Sequence, residues 1–246
     1  MRSFVALLGA VASVAAHGYV QEITSGSTKY TGYLPYSDPY YNPPPQRIVR
    51  AVPGNGPVQD LSLIDVQCNG YSEGGVVGSQ PAPIFATVAA GSSLTLNWTT
   101  WPARQGPLIT YMAKAPSDIT KWQPGSSAVW FKVHQAGYSN GVWASTALIN
   151  SGGLYTFTIP KSLKAGQYLV RHEILALHAA YQYPGVQVYP SCIQLQVTGS
   201  GTSTGPTSGL VAFPGAYTAT TPGIVFDVYQ GNASQYVVPG PAVWSG

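Results

Sequence analysis

The chain has 246 residues, of which 45% are hydrophobic and 8% charged, with a formal net charge of +3 at pH 7. Its lysines and arginines are spread out rather than grouped in runs, which argues against a surface for nucleic acid or acidic lipid. The low charge and the 17 tyrosines favour a surface that meets neutral, hydroxyl-rich material such as carbohydrate.

The N-terminal residues have the pattern of a secretory signal peptide. A positively charged start, Met1–Ser3, precedes the apolar run Phe4–Ala12, which is too short to cross a bilayer as a helix. Small residues at Val14–Ala16 then mark a cleavage point. We therefore predict a signal peptide over residues 1–16 and a secreted, extracellular protein. Its mature chain would begin at His17, with residues 17–246 forming a single domain.

The stretch from Gly18 to Pro53 shows little pattern of regular structure and is rich in tyrosine and proline. One interpretation is a rigid cover whose aromatic side chains pack on the core. The other is a flat aromatic surface on which sugar rings stack, and the sequence leaves both open. The tyrosines concerned are Tyr30, Tyr33, Tyr36, Tyr40 and Tyr41.

The chain contains two cysteines, Cys68 and Cys192. In an oxidising compartment one disulfide is the default, and closing a loop of that length would stabilise the fold by roughly 4–5 kcal/mol. Asn97 and Asn232 each begin a glycosylation sequon, although Asn97 falls inside a predicted strand.

Beyond the turn cluster Pro53–Pro57, short segments with strand character recur between Gly- and Pro-rich turns. They cover Ile84–Val88, Ser93–Trp98, Leu108–Ala113, Val129–His134, Leu154–Ile159, Gln167–His178 and Cys192–Val197. This series, without a sustained helical period, predicts an all-β fold. We expect an antiparallel immunoglobulin-like or fibronectin-like β-sandwich with long loops. Residues 199–209 are rich in Gly, Ser and Thr and indicate a flexible connection, while the apolar character of residues 210–246 predicts that they pack back on the sandwich.

The stretch Arg171–Cys192 carries the most unusual polar pattern. It begins as a strand that includes His178, breaks at Tyr183–Gly185, and resumes with Gln187 and Tyr189 two residues apart and hence on one face. One edge of a sheet would then present an imidazole, an amide and a phenol. Such a set can position small polar reactants or support a metal; the alternative is a satisfied polar patch.

Several common chemistries lack their residues in this sequence. The eight acidic residues are scattered, without the placed pair that a glycosidase uses, and no G-x-S-x-G nucleophile elbow occurs. Zinc would need three or four ligands from a chain with four histidines and a committed cysteine pair. His17 is more informative, because cleavage would free its α-amine to chelate a metal together with its ring, and nitrogen donors with a tetragonal preference point to copper. Coincidence is the alternative explanation of a histidine there.

A series of motifs, spread in order over most of the mature chain, resembles one family. They are Ala16–Tyr19, Arg47–Arg50, Pro53–Val58, Gly106–Tyr111, Trp130–Lys132, Gly166–Arg171, Ala176–His178, Gln187–Cys192, Phe213–Tyr217 and Pro239–Trp244. Through them the sequence resembles the fungal lytic polysaccharide monooxygenases of auxiliary activity family nine, once classed as glycoside hydrolases. The resemblance implies a β-sandwich with a copper held by a histidine brace. It also implies oxidation of a C–H bond at the β-1,4 links of cellulose or a related glucan, with an external electron donor and oxygen or peroxide.

The same resemblance implies roles for individual residues. His17 would supply two of the three copper nitrogens and Tyr189 the axial oxygen. His178 and Gln187, with Tyr189, would be the catalytic set, the first two orienting the oxygen species.

The resemblance also concerns residues outside the metal centre. Tyr236 corresponds to a tyrosine on the flat substrate-binding face, to which Tyr30 and Tyr33 would add, and Cys68 with Cys192 corresponds to a family disulfide. The implied partner is a polysaccharide. We expect a monomer that binds neither nucleic acid nor a membrane.

The sequence departs from the family at the third copper nitrogen. The family places its second brace histidine two residues before a Gly-Pro, typically as S-H-x-G-P after Trp-Pro. Here the segment Trp101–Pro107 is one residue shorter and has Arg104 at that position. A guanidinium stays protonated and has no lone pair to donate. Held about 4 Å from a divalent copper at an effective dielectric of 20, it would oppose binding by roughly 8 kcal/mol as an upper bound. His134 and His172 stand where the family has no ligand, and we predict structural roles for them.

Two hypotheses remain open at this point. In the first, the protein is an active oxidase whose reshaped copper site is completed by Gln105, substrate or solvent. In the second, it is a catalytically impaired, carbohydrate-associated protein that kept the scaffold and the outer site residues but binds copper weakly or not at all.

Overall fold

The computed structural model describes residues 17–70 and 78–246, so the predicted signal peptide lies outside the described residues. The strands are β1 Val20–Ser25, β2 Thr28–Thr31, β3 Ala86–Ala89, β4 Ser93–Trp98, β5 Leu108–Lys114, β6 Phe131–Ala136, β7 Tyr138–Ser139, β8 Val142–Trp143, β9 Leu154–Thr158, β10 Lys164–Ala176 and β11 Gln187–Ser200. The helices are α1 Asp65–Cys68 and α2 Ala144–Asn150, with 3-10 turns at Asp38–Tyr40 and Ala233–Gln235.

The strands form two facing sheets. A four-stranded sheet has the order β2-β1-β4-β9, and a five-stranded sheet has the order β3-β11-β10-β5-β6. β3 runs parallel to β11, whereas β10 pairs with both β5 and β11 in antiparallel fashion. One core cluster contains Leu96 and Phe157 from the first sheet together with Met112 and Leu195 from the second. The predicted all-β sandwich is confirmed, with one parallel strand pair added to the antiparallel pattern.

The five-stranded sheet is also covered on its outer face. A second core cluster packs Tyr111 and Leu169 of this sheet against Phe213, Tyr217 and Ile224 of the C-terminal segment. As a result β10 is buried on both faces from Tyr168 to Ala176. Cys68 of α1 and Cys192 of β11 join the same layer through a disulfide.

The bounds of two predicted strands near the candidate site were wrong. β10 ends at Ala176, so His178 lies in the turn after the strand rather than on it. β11 begins at Gln187 and continues to Ser200, so it takes in the first two residues of the expected 199–209 connection. A strand of this length remains paired because its partner β10 runs alongside it from Lys164 onward.

The N-terminal stretch has more regular structure than the sequence predicted. β1 pairs with β2 and with β4. A register shift between Val20 and Glu22 separates the buried residues Val20 and Ile23 by three positions. The alternation by two that identifies a strand is therefore absent from the sequence. The seven-residue helix α2 was also missed, because two helical turns are too short to show a period.

Candidate metal centre

The N-terminal segment is held beside Trp101 by main-chain contacts. The Gly18 N–H donates to the carbonyl of Asn55 at 2.9 Å, and the Tyr36 hydroxyl donates to Asn55 Oδ1 at 2.8 Å. A Cβ added to Gly18 would lie 3.0 Å from Trp101 Cε3, so the indole packs directly on the main chain next to His17. The turn cluster and the tyrosine-rich stretch thus fix the position of the main chain next to His17.

The pairing of β10 with β11 brings Gln187 and Tyr189 to the end of the sandwich where Trp101 lies. Ala176 pairs with Gln187 and Ile174 with Tyr189. The Tyr189 hydroxyl donates to Gln187 Oε1 at 3.0 Å. The Tyr189 ring meets Trp101 edge to face, with 4.7 Å between the ring centroids. Trp101 therefore contacts both the N-terminal segment and the phenol.

Burial sets the protonation of these groups. It raises the pKa of the Tyr189 phenol above its ordinary value, so the phenol is protonated near neutral pH and offers a neutral oxygen. His178 is half-buried, and burial lowers the pKa of its imidazole. Its neutral form, with one nitrogen donating and the other accepting, is therefore favoured near neutral pH.

Arg104 and Gln105 lie alongside the end of β10. The N–H of Leu177 donates to the carbonyl of Gln105 at 3.1 Å. Gly106 has φ +155°, and a Cβ there would lie 1.8 Å from the carbonyl oxygen of Leu175. This close approach, which requires glycine, holds the segment next to His178. Arg104 itself is exposed.

The residues brought together here determine which nitrogen and oxygen atoms are available to bind a metal ion. His17 can provide its ring and, after cleavage, its amine, and Tyr189 a neutral oxygen. Within residues 17–70 and 78–246, no cluster of three or more His, Cys, Asp or Glu side chains could hold a metal ion. A ring nitrogen at His17 and a phenol oxygen at Tyr189 are donor types that suit a metal such as copper, whereas the guanidinium of Arg104 has no lone pair to donate.

The tyrosines predicted to bind substrate are packed to different degrees. Tyr30 and Tyr33 are half-buried and pack against the core between the sheets. The Tyr236 hydroxyl donates to the carbonyl of Gly223 at 3.0 Å, and its ring meets Trp143 edge to face at 4.9 Å. Their substrate role stays a prediction.

The tyrosine-rich stretch contains both packed and exposed tyrosines, and the stacking of sugar rings on it stays a prediction. Tyr30 and Tyr33 belong to the cover, and the buried Asp38, paired with Arg47 at 2.8 Å, makes that cover rigid. Tyr36 and Tyr40 are 60% and 84% exposed, which leaves their rings accessible for stacking.

The two predicted glycosylation sites differ in accessibility. Asn97 lies within β4 and is half-buried, whereas Asn232 is exposed before the last 3-10 turn. Glycosylation of either residue remains a prediction.

Trp101 and Asn55 are the site residues that sequence reasoning missed. Both lie in motifs that were noticed, the Trp-Pro before Arg104 and the Pro-Gly-Asn-Gly-Pro turn. Their supporting roles depend on contacts with residues that are distant in the sequence, Trp101 with Tyr189 and Asn55 with Gly18, which no local sequence pattern shows.

The sandwich has the fold of one class of proteins, the lytic polysaccharide monooxygenases. Residues 17–236 match the model of Auxiliary Activity family 9 (formerly GH61). The chain belongs to this family of copper-dependent polysaccharide monooxygenases.

Individual relatives agree with that assignment. The chain is 56% identical over 250 aligned residues to AA9 family lytic polysaccharide monooxygenase B of Gloeophyllum trabeum, covering 100% of this chain and 98% of that protein. A solved glycoside hydrolase family 61 member from Hypocrea jecorina has a TM-score of 0.83 at 32% identity, covering 93% and 100% of the two chains. A cellulose-active polysaccharide monooxygenase from M. thermophila has a TM-score of 0.80 at 32% identity, covering 94% and 100%.

Proposed function

We propose that this chain is a secreted lytic polysaccharide monooxygenase that acts on cellulose or a related β-1,4-glucan, with its catalytic domain in residues 17–246. The observation that carries the proposal is the position of Trp101, whose indole packs on the main chain at Gly18, next to His17, and on the ring of Tyr189. The Tyr189 hydroxyl in turn donates to Gln187. Cellulose is the first substrate to test because one solved relative is described as cellulose-active. Secretion is supported by the signal-peptide pattern of residues 1–16. In the described part of the chain no helix could cross a membrane.

The proposed site uses the chain's own residues as follows. Once cleavage frees its α-amine, His17 would hold copper through that amine and its ring, and the Tyr189 oxygen would be a further ligand. Bound copper would supply the one-electron chemistry that oxygen activation needs. Gln187 accepts the Tyr189 hydroxyl at Oε1, so its NH2 group is the end that can donate towards a reactant. His178, held neutral by burial, can donate or accept a proton beside it.

We further propose that copper binding is weakened because Arg104 stands in place of the second brace histidine. Its exposure lets the guanidinium turn to solvent, so the repulsion it exerts falls well below the roughly 8 kcal/mol bound obtained for a close approach. The larger loss is the missing lone pair. The donor set then has one nitrogen fewer than the family's brace.

Calorimetric titration of copper(II) tests this proposal on protein with a correctly processed His17. We expect one-to-one binding that disappears in His17→Ala. Replacing Arg104 by histidine, with one residue inserted before it, should raise the copper affinity by more than about tenfold, equivalent to about 1.4 kcal/mol. Oxidative cleavage of cellulose should increase in parallel. No gain in either quantity would show that the missing ligand is not the defect.

Because Arg104 cannot bind copper, we also consider a second function. If copper binding is absent, or is indifferent to His17→Ala, the protein is a carbohydrate-binding member of the family without efficient oxidative chemistry. Pull-down on cellulose by the copper-free protein separates the two cases, because binding without oxidised products is the result expected for the second.

A further inference from the structure

The turn that holds the N-terminal segment contains an asparagine followed by a glycine. The main-chain carbonyl of Asn55 accepts the Gly18 N–H at 2.9 Å. Gly56 lies beside His17, since a Cβ added to Gly56 would be 3.8 Å from Cδ2 of that ring. We propose that Asn55 is a modification site, at which spontaneous deamidation forms an isoaspartate and separates the turn from Gly18. The inference needs neither bound copper nor the proposed polysaccharide activity.

Deamidation at an Asn-Gly pair is an intramolecular acyl transfer. The main-chain nitrogen of Gly56 loses its proton to hydroxide and attacks Cγ of Asn55. A bond between these two atoms forms, the bond from Cγ to the side-chain nitrogen breaks, and ammonia leaves after taking a proton from water. Water then opens the five-membered imide at one of its two carbonyls. The product is aspartate or isoaspartate, in which the main chain continues through the former side-chain carboxyl carbon.

The reacting groups at Asn55 are not engaged by other hydrogen bonds. Within the described part of the chain, neither the Gly56 N–H nor the Asn55 side-chain NH2 donates to an acceptor. The Tyr36 hydroxyl donates to Asn55 Oδ1 at 2.8 Å, which draws electron density from Cγ and keeps the amide nitrogen as the free end. The attacking nitrogen and the leaving group are therefore available, and the carbon between them is activated.

The pair is also accessible to water. Asn55 and Gly56 are half-buried and line a surface cleft of about 580 Å³. They lie outside the helices and strands, so the main chain can move towards the attack geometry without breaking a ladder of hydrogen bonds. The glycine has no side chain to hinder that approach. The cleft admits both the hydroxide that removes the proton and the water that opens the imide.

The other two Asn-Gly pairs lack this combination. Asn69 is buried, and its Oδ1 accepts the Gly70 N–H at 2.9 Å, so the attacking nitrogen is engaged and water is excluded. Asn140 is exposed, but with Gly141 it forms the two-residue turn between the paired strands β7 and β8, which restrains the main chain. A change at either pair would leave the contact between Asn55 and Gly18 in place.

The two products differ in what they do to the N-terminal segment. Aspartate keeps the path of the main chain, so the Asn55 carbonyl can still accept from Gly18. Isoaspartate adds one carbon to the main chain and moves that carbonyl. The Gly18 N–H then loses its acceptor, and the segment that packs on Trp101 is held by fewer contacts. Asn55→Asp therefore reproduces the first product but not the second.

The test incubates the copper-free, full mature chain at mildly alkaline and mildly acidic pH. Peptide mapping by mass spectrometry should locate the conversion at Asn55, faster at the higher pH because the attacking nitrogen must lose its proton. Enzymatic methylation of isoaspartate should label the same peptide. In the converted protein, hydrogen exchange of the Gly18 amide should be at least about fivefold faster, the effect of losing one main-chain hydrogen bond. Asn55→Asp should exchange like the unaltered protein.

Gly56→Ala is the matched control. Its methyl group would make an ordinary contact with His17 but would hinder the attack, so this variant should lose most of the conversion. Asn140→Gln should convert like the unaltered protein. No conversion at Asn55, conversion of Asn69 or Asn140 ahead of it, or an unchanged rate in Gly56→Ala would overturn the assignment of the site. Unchanged Gly18 exchange in the isoaspartate form would overturn the release of the N-terminal segment.

Discussion

Two regions of this sandwich place an arginine in opposite surroundings. The outer core, which is the layer between the five-stranded sheet and the C-terminal segment, buries one, whereas the site end, which carries the candidate metal centre, exposes another. Arg171 is fully buried, pairs with Glu173 at 2.7 Å, donates to the carbonyl of Val66 at 2.7 Å and lies 3.7 Å above the ring of Phe213. Arg104 is exposed beside the candidate metal centre. The scaffold thus buries Arg171 among packed partners, whereas it leaves Arg104 at the surface.

The buried charges form a connected group. Glu173 also accepts a short hydrogen bond from the Tyr217 hydroxyl, and Lys132 donates to the carbonyl of Pro239 at 2.8 Å. Burial lowers the pKa of Lys132 to about 8, and the negative charge of Glu173 counters part of that decrease. The negative charge of Glu173 therefore stabilises two buried cations, Arg171 and Lys132. The hydrogen bonds of this group connect β6 and β10 to the C-terminal segment.

Glu173→Gln gives the largest expected effect because it leaves the buried Arg171 without its counter-charge. We expect the free energy of unfolding to fall by about 3–5 kcal/mol, the usual cost of breaking a buried pair from one side. Denaturant unfolding measures it. Arg104→Ala is the matched change at the other end and should stay within about 0.5 kcal/mol of the unaltered protein. Equal losses in the two variants would contradict the comparison.

The opposite face of β10 carries a buried histidine, so the dependence of stability on a buried group can also be tested by changing the pH. His172 is fully buried between the sheets, contacts Thr110 Oγ1 at 3.0 Å, and burial lowers its pKa to about 3. The unfolded chain, with an ordinary histidine pKa near 6.5, takes up the proton first as the pH falls. Stability is therefore fully present above about pH 6.5 and declines towards pH 3.

This decline can be assigned by mutation. The histidine contribution should be about 2–3 kcal/mol between pH 6.5 and 4.5, at about 1.4 kcal/mol per pH unit. Burial also lowers the pKa of His134, which adds in the same direction. Denaturant unfolding at several pH values should show a shallower decline for His172→Gln. An unchanged slope in that variant would rule out His172 as the cause.

Tyr189→Phe tests the site end, with an expected change in stability well below that of Glu173→Gln. It removes the hydroxyl that donates to Gln187, and a neutral hydrogen bond contributes about 0.5–1.5 kcal/mol. Thermal or denaturant unfolding gives this value, and copper titration of the same variant reports whether the Tyr189 oxygen contributes to copper binding. A loss as large as that of Glu173→Gln would mean that the site end is as essential to the fold as the outer core.

Much of the fold could be predicted from local pattern. β4 has the predicted bounds Ser93–Trp98, because its residues alternate between a buried and a more exposed face. β1 was missed since its bulge breaks the period. The burial of Arg171 and Glu173 could not be predicted, because the C-terminal segment that covers their face of β10 begins some 40 residues later in the chain.

By itself the sequence determined the all-β class, the two cysteines available for a disulfide, the motifs of the family and the arginine at position 104. These depend on residue identity and on spacing along the chain. The tertiary structure alone decided that Trp101 contacts both the N-terminal segment and Tyr189, that β10 is buried on both faces, and that Arg104 is exposed. Each of these depends on which distant segments pack together, and no short-range pattern in the sequence encodes that choice.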